Sequence, residues 1–487
     1  MEKLCLELVN IEVSFQDQLV LDIPKLSVHQ FDRIGLVGKN GEGKSTLLKL
    51  MNGTITPNKG LVNRLVDFGY FEQTAKPVEK EVDLKLLRKL SVPQTNIESL
   101  SGGEQTRVKL AQLFSTNYEG LFIDEPTTHL DASGVDFVIE ELKYYYGVLV
   151  LVSHDRYVLD QLVTKIWEVE NGKVTEYTGN YSDYVEQKSL EKKQQQEQHE
   201  KYVKEKDRLL KAAEEKMKKA EKVTQANKKM SKKDTKAKTN KTFMTKSKDT
   251  SQKSMQRAAK AMVQRVEQLH AVEAPEQEKS LHFHQPASLQ LHNKFPIMAD
   301  RLTLGVGDKT LLKEASFQFA LGETIAITGN NGSGKSTLLK HIVKQGEGII
   351  LSPKVVFGAY EQMEYHFEKS ESVISYMKNR SDYEESKLRA VLHAMNFTGN
   401  DLRKDVRELS GGEAIRLILC QLFLGRYNVL VLDEPTNFLD VHSIEALEKF
   451  LDGYKGTVLL VSHDRKFIER VANRVYVIED QQLTLRK

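Results

Sequence analysis

Two glycine-rich stretches, GKNGEGKST at 38 to 46 and GNNGSGKST at 329 to 337, carry the residue types that hold phosphate. A GxxxxGK[ST] loop that opens a helix turns backbone N–H groups toward an anion, and the helix dipole adds a favourable field. Gly38, Gly41 and Gly43, with Gly329, Gly332 and Gly334, allow close backbone approach, and Asn40, Thr46, Asn331 and Thr337 complete the two cradles. Lys44 and Lys335 are expected on the β- and γ-phosphates, and the Ser45 and Ser336 hydroxyls on Mg²⁺. The pattern predicts ATP and Mg²⁺ as ligands.

Hydrolysis needs a carboxylate beside that cradle. LFIDEPTTHLD (121 to 131) and LVLDEPTNFLD (430 to 440) each end an apolar run on an acidic pair. Asp124 and Asp433 suit the Mg²⁺ shell, and Glu125 and Glu434 suit orientation of the attacking water. His154 and His463, in two copies of SHDR, are expected at the γ-phosphate. Gln73 and Gln362, after FGYFEQ and FGAYEQ, could reach Mg²⁺ or the water. A DE pair after a strand often only caps a helix; its place in an ordered, repeated set favours chemistry.

These motifs recur in one order. Ser101 to Ser410, Glu125 to Glu434 and His154 to His463 are each 309 residues apart, whereas Gln73 to Gln362 is 289, so the second copy holds 20 extra residues in between. Runs such as LFIDE and VLVLVS, each followed by a turn and then helical periodicity, predict an α/β fold with motifs at strand ends. The expected fold class is α/β, two tandem P-loop ATPase domains joined by a long α-helical hairpin linker. The domains are expected at 1–184 and 295–487, with the linker at 185–294.

The linker is set apart by composition. Residues 201 to 260 hold 21 Lys/Arg against 7 Asp/Glu, a local +14 in a chain of net charge +3. Val203, Leu210, Ala213, Met217 and Ala220, then Met255, Ala259, Met262, Val266 and Leu269, follow heptad-like spacing and predict two antiparallel helices. The first arm is expected to run about 40 residues, roughly 60 Å at 1.5 Å per residue. The lysine-rich stretch 231–250 would form the tip. A solvated charged linker is the plainer alternative. Such a charge suits RNA or DNA phosphate equally.

With 40% apolar and 29% charged residues the chain reads as globular, and no apolar run approaches the length of a membrane span. The N-terminus has no export pattern, so a cytoplasmic protein is expected. Cys5 and Cys420 are too few for an iron–sulfur or multi-zinc module and are expected as buried thiols.

The LSGGE segments at 100 to 104 and 409 to 413, together with both P-loop sets and SHDR, resemble ABC ATPases over nearly the whole chain. The resemblance implies that each signature caps the ATP held by the other cassette. Ser410 and Gly412 would then complete the Lys44 site, and Ser101 and Gly103 the Lys335 site. It also implies that Phe15 stacks on adenine, against the alternative of a core Phe; Val306 stands at the equivalent position. Two cassettes, no membrane part and a long helical linker entered through GNYSDYVEQK (179 to 188) resemble the ABC-F proteins. KFPIMADRLTL, the basic linker and the short Gln73 to Ser101 interval look most like the Msr-type antibiotic-resistance members. That likeness implies a monomer partnered with the 70S ribosome at its exit site, near the 23S rRNA of the peptidyl-transferase centre, the exit-site tRNA and the P-site tRNA. The linker tip, with Phe243 and Met244, would displace macrolide or streptogramin antibiotics. A housekeeping translation factor, an exporter ATPase subunit, a DNA-maintenance ATPase and a non-hydrolysing ribosome-binding module are the rival readings.

Overall fold

The computed structural model describes residues 3–487 except 17, 74, 76, 78–85, 88–99, 101, 129, 232–240, 270, 273, 275–282, 284–288, 308 and 361–366; of 223–231 and 241–252 it describes the backbone alone. The chain forms two compact units, one of Met1–Tyr184 with Lys279–Lys487 and one of Val185–Glu278.

In the first cassette the strands are β1 (Leu4–Phe15), β2 (Gln18–His29), β3 (Arg33–Val37), β4 (Lys59–Arg64), β5 (Phe68–Phe71), β6 (Gly120–Asp124), β7 (Val148–Val152), β8 (Lys165–Glu170) and β9 (Lys173–Thr178). Its helices are α1 (Lys44–Asn52), α2 (Gly102–Phe114), α3 (Ala132–Lys143) and α4 (Arg156–Leu162). Strands β2-β1-β4 make an antiparallel sheet, and β5-β6-β7-β3-β8-β9 a sheet parallel up to its β9 edge. Helix α1 lies between the two sheets, burying Leu47, Leu48, Leu50 and Met51 with Leu6, Leu8, Phe122 and Trp167. Helices α2 to α4 cover the opposite face through Leu110, Val138, Leu142 and Leu159. β6 and β7 are buried along their whole length, so they read as unbroken apolar runs instead of alternating ones.

The linker contributes α5 (Tyr181–Ser231) and α6 (Lys241–Glu267). At 51 residues α5 exceeds the expected 40-residue arm. The predicted heptads hold for the return helix, where Ala259 is buried and Met255, Met262, Val266 and Leu269 are partly buried. In the outgoing helix the expected Ala213 and Ala220 lie in the seam, but at Val203, Leu210 and Met217 the seam runs through the preceding residue instead. Leu209, Ala213 and Ala220 are buried while Val203, Leu210 and Met217 are exposed. Tyr202 beside Val203 and Leu209 beside Leu210 are apolar or aromatic neighbours with the same spacing, so periodicity alone could not choose between adjacent stripes. The pairing is antiparallel: the His199 ring meets the Val272 carbonyl at 2.7 Å. The tip expected at 231–250 lies in part outside the described residues; its second half, 241–250, is backbone of α6.

The second cassette repeats the first. Its strands are β10 (Ile297–Val306), β11 (Lys309–Phe319), β12 (Thr324–Gly329), β13 (Ile349–Leu351), β14 (Phe357–Tyr360), β15 (Val429–Asp433), β16 (Thr457–Val461), β17 (Arg474–Glu479) and β18 (Gln482–Leu485). Its helices are α7 (Lys335–Val343), α8 (Val373–Lys378), α9 (Glu385–Ala394), α10 (Gly411–Leu424), α11 (Val441–Gly453) and α12 (Arg465–Val471). Sheet orders β11-β10-β13 and β14-β15-β16-β12-β17-β18 match those of the first half. The extra residues after Gln362 include α8 and α9, which seat Val373, Met377, Leu388 and Leu392 in the core against Phe423. Among the described residues no helix is long and apolar enough to cross a membrane. Cys5 and Cys420 are buried and form no disulfide.

Candidate functional site

In an open α/β sheet ligands gather beyond the carboxyl ends of the parallel strands. β3 and β12 deliver the two P-loops to that edge, and β6, β7, β15 and β16 deliver the acidic pairs and histidines. Gly38 has a φ of 149°, and a Cβ there would stand 2.4 Å from the Val169 carbonyl oxygen, which is why the loop must begin with glycine. Gly43, left-handed at φ 98°, caps α1. Gly334 does the same for α7 at φ 103°.

Lys44 and Lys335 are buried and folded back over their own loops. The Lys44 ammonium donates to the Gly38 and Lys39 carbonyls at 2.8 and 3.0 Å. The Lys335 ammonium donates to those of Gly329 and Asn330 at 2.9 and 3.0 Å. Burial lowers both pKa values. Each ammonium is thus placed beside the cradle with only weak neutral acceptors, ready to turn to a phosphate.

Glu125 and Glu434 occupy the left-handed region at φ 53° and 52°. That conformation is uncommon for such a side chain and costs about 1 kcal/mol or more. It persists because their N–H groups continue the sheet, donating to the Val152 and Val461 carbonyls at 3.0 and 2.8 Å. One oxygen of each accepts from the backbone N–H of His154 or His463 at 3.3 Å. The other is buried with no hydrogen-bond partner, 3.4 Å from His154 Nε2 and 3.3 Å from His463 Nε2. Burial, then the adjacent Asp124, pushes Glu125 up to about 8. Burial, net of Lys335, pushes Glu434 up to about 7. Burial and then the nearby lysine ammonium take His154 down to about 3 and His463 to about 4, so both rings are neutral. A buried carboxyl group with one oxygen unsatisfied is placed to accept a hydrogen bond from water.

Asp124 accepts from the Ser45 hydroxyl. This all-oxygen donor set fits Mg²⁺, which keeps several waters and takes phosphate oxygens in place of a full protein cage. Among the described residues there is no group of three or more His, Cys, Asp or Glu that could hold a metal by itself. Gln73 lies at the cavity wall, its amide 3.5 Å from the Thr128 hydroxyl. Gln362 and Ser101 lie outside the described residues. Phe15 and Val306 end equivalent hairpin strands, paired with Gln18 and Lys309. They are 51% and 59% exposed, which removes the core reading of Phe15.

The two cassettes share one cavity of about 700 Å³, lined by Asn40, Gly41, Glu125 and His154 from one half and by Lys335, Ser410, Gly412 and Glu434 from the other. Gly412 closes on the first P-loop, where a Cβ would lie 3.8 Å from Asn40 Nδ2. Ser410 caps α10 and is held in a capping box with Glu413. Gly103 stands in the first turn of α2, as Gly412 does in α10. The structure therefore brings the second signature to the Lys44 loop.

The motif reading missed four residues that clamp this seam. Asp440 accepts from the Asn40 N–H at 2.7 Å and Asp131 from the Asn331 N–H at 3.4 Å, each across the interface. Arg416 stands 3.8 Å from Asp440 and Arg107 3.9 Å from Asp131. All four obey the 309-residue repeat, so extending the comparison beyond the named motifs would have found them.

Asp155 and Asp464 cap α4 and α12. Burial, then the Asp464 carboxylate, pushes Asp155 up to about 7, and burial raises Asp464 as well, against Arg156. A carboxyl raised in the folded state contributes stability below its unfolded pKa near 4, and that contribution is lost as pH rises through 7. We expect Tm to fall from pH 5 to 8, and Asp155→Asn, which still caps α4, to flatten that slope by up to about 1.4 kcal/mol per pH unit. A thermal melt series in which wild type and variant share one slope would count against it.

Comparison with known proteins agrees with the geometry. A family profile described as ABC transporter matches residues 21–68, 63–128 and 312–437, and a second with the same description matches 167–232. The chain is 38% identical to the erythromycin resistance ATP-binding protein MsrA of Staphylococcus epidermidis, over 99% of each chain. It is 34% identical to the ribosome protection protein VmlR of Bacillus subtilis, over 97% of this chain and 86% of that one. Among solved structures, an RNase-L inhibitor aligns over 96% of this chain and 87% of its own, with a TM-score of 0.64 and 19% identity, a likeness of fold alone.

Proposed function

Since this chain belongs to the ABC-F family of ATPases, we propose that it is a ribosome protection protein, which binds the ribosome with ATP and displaces a macrolide or streptogramin from it. Similarity to MsrA over 99% of both chains, and to VmlR over 97% of this chain, is the observation that carries this reading. Closure of two ATP sites between cassettes provides a switch, because a γ-phosphate contacted from both sides binds the closed state better than the open one. Lys44 and Lys335 would hold the phosphates, Ser45, Asp124, Gln73, Ser336, Asp433 and Gln362 the Mg²⁺, and Phe15 the adenine. Mg²⁺, when bound, neutralises charge on the transferred phosphoryl group. Glu125 and Glu434 would orient water, positioned by the backbone of His154 and His463. In the Lys335 site Ser101 and Gly103 would act as Ser410 and Gly412 do in the other.

The linker would reach the exit site and peptidyl-transferase rRNA between the exit-site and P-site tRNAs, drawn by the +14 charge of residues 201–260. Phe243 and Met244 would act at its tip. The test is co-sedimentation of the wild-type chain with 70S ribosomes carrying labelled erythromycin, with a non-hydrolysable ATP analogue or with none. Binding that needs nucleotide and releases drug is expected. Nucleotide-dependent binding without release would make the protein a translation factor, and no binding would overturn the ribosomal reading in favour of the exporter subunit.

A further inference from the structure

The two composite sites are closed by unequal contacts. At the Lys44 site, the Asn40 N–H meets Asp440 at 2.7 Å and the Asn40 amide also reaches the Phe438 carbonyl at 3.3 Å. At the Lys335 site, the corresponding bond from Asn331 to Asp131 is 3.4 Å. The arginine after each histidine widens the difference. Arg156 crosses from α4 to Glu448 on α11 at 2.5 Å, with both side chains about nine-tenths buried. Arg465 crosses from α12 to Asp136 on α3 at 2.6 Å, but these side chains are 37% and 52% exposed. The repeat offset places Ile139 opposite Glu448, so the first half has no carboxylate where the second has one. Next to Glu448, Glu445 accepts from the Tyr181 hydroxyl at 3.4 Å.

Helix α11 is capped by Asp440, and α4 starts two residues after His154. The Arg156 bond therefore ties together the two elements that close over the Lys44 nucleotide. The Arg465 bond does the same for the Lys335 nucleotide, in water. An exposed pair contributes little, whereas breaking a buried one strands a charge. We infer that Arg156 and Glu448 form a one-sided latch that makes the Lys44 site the last of the two to open. These are positioning residues. The inference rests on the composite-site reading above and is independent of the ribosomal one.

The test uses the Glu125→Gln, Glu434→Gln protein loaded with 8-azido-ATP, chased with unlabelled ATP and photolysed at intervals, with label assigned to peptides of each P-loop. Label on the first P-loop is expected to outlast label on the second. Added Glu448→Ile, which copies the Ile139 half, should speed loss from the first P-loop by about tenfold or more and from the second by less than about fivefold. Arg156→Gln reaches the same result without touching α11. The exchange Arg156→Glu with Glu448→Arg should restore slow release, a rescue that a merely structural role would not give. Equal loss from both P-loops before the change, or equal acceleration after it, overturns the latch. Where the Glu448 change has no selective effect, Asp440→Ala separates the premises: release left unchanged means the composite site itself is wrong, and faster loss from the first P-loop means only the latch has failed.

Discussion

Changing Glu125 and Glu434 together to Gln is expected to lower ATP turnover by about 10²- to 10⁴-fold, the range for removal of a positioned general base. Gln keeps the volume of Glu and can still accept from the His154 or His463 backbone N–H. Folding and ATP binding should therefore survive. What Gln lacks is an ionisable oxygen, able to take a proton from water, at the position where Glu125 and Glu434 each bury an oxygen without a hydrogen-bond partner. Single-turnover hydrolysis and retention of labelled ATP through gel filtration read the two effects separately. Retained ATP with lost turnover is expected, and on ribosomes the variant should fail to dissociate. Turnover within about twofold of wild type would remove both carboxylates from the chemistry.

Deleting residues 231–250 is expected to abolish antibiotic protection while basal ATP hydrolysis stays within about twofold of wild type. The P-loops, acidic pairs, histidines and clamping aspartates all lie in Met1–Tyr184 and Lys279–Lys487. The deleted stretch belongs to neither, and it holds seven lysines against two aspartates. Removing it takes the charge nearest the proposed drug site and Phe243 and Met244 with it. Its loss should also weaken the salt dependence of ribosome binding. Growth under erythromycin and a phosphate-release assay on the same protein decide the matter. Protection that survives would move the function to the cassettes, and lost hydrolysis would show that the linker supports catalysis.

Much of the catalytic set was legible because each motif is local. A P-loop, an acidic pair after an apolar strand and a following histidine are stretches of a few residues whose spacing is set by a strand and a turn. Repetition, at 291 residues for the P-loops and 309 for the acidic pairs and histidines, then made chance matching negligible. The linker was legible as two antiparallel helices, with Ala213, Ala220 and the return heptads in place, but not at Val203 and Leu210, which lie one residue from the Tyr202 and Leu209 stripe that burial chose. The fate of Phe15 likewise needed the fold, since an aromatic at a strand end is equally at home in a core or on a surface.

The amino-acid sequence by itself determined that this chain has two ATP-hydrolysing cassettes around a basic helical hairpin. Tertiary structure alone decided which residue pairs clamp one half to the other. Asp440 and Asn40 are 400 positions apart and Arg156 and Glu448 are 292 apart. No local pattern records such pairs. They exist because two folded cassettes bury one surface together, and it is burial that turns an ordinary exposed arginine and glutamate into a bond able to tell two equivalent sites apart.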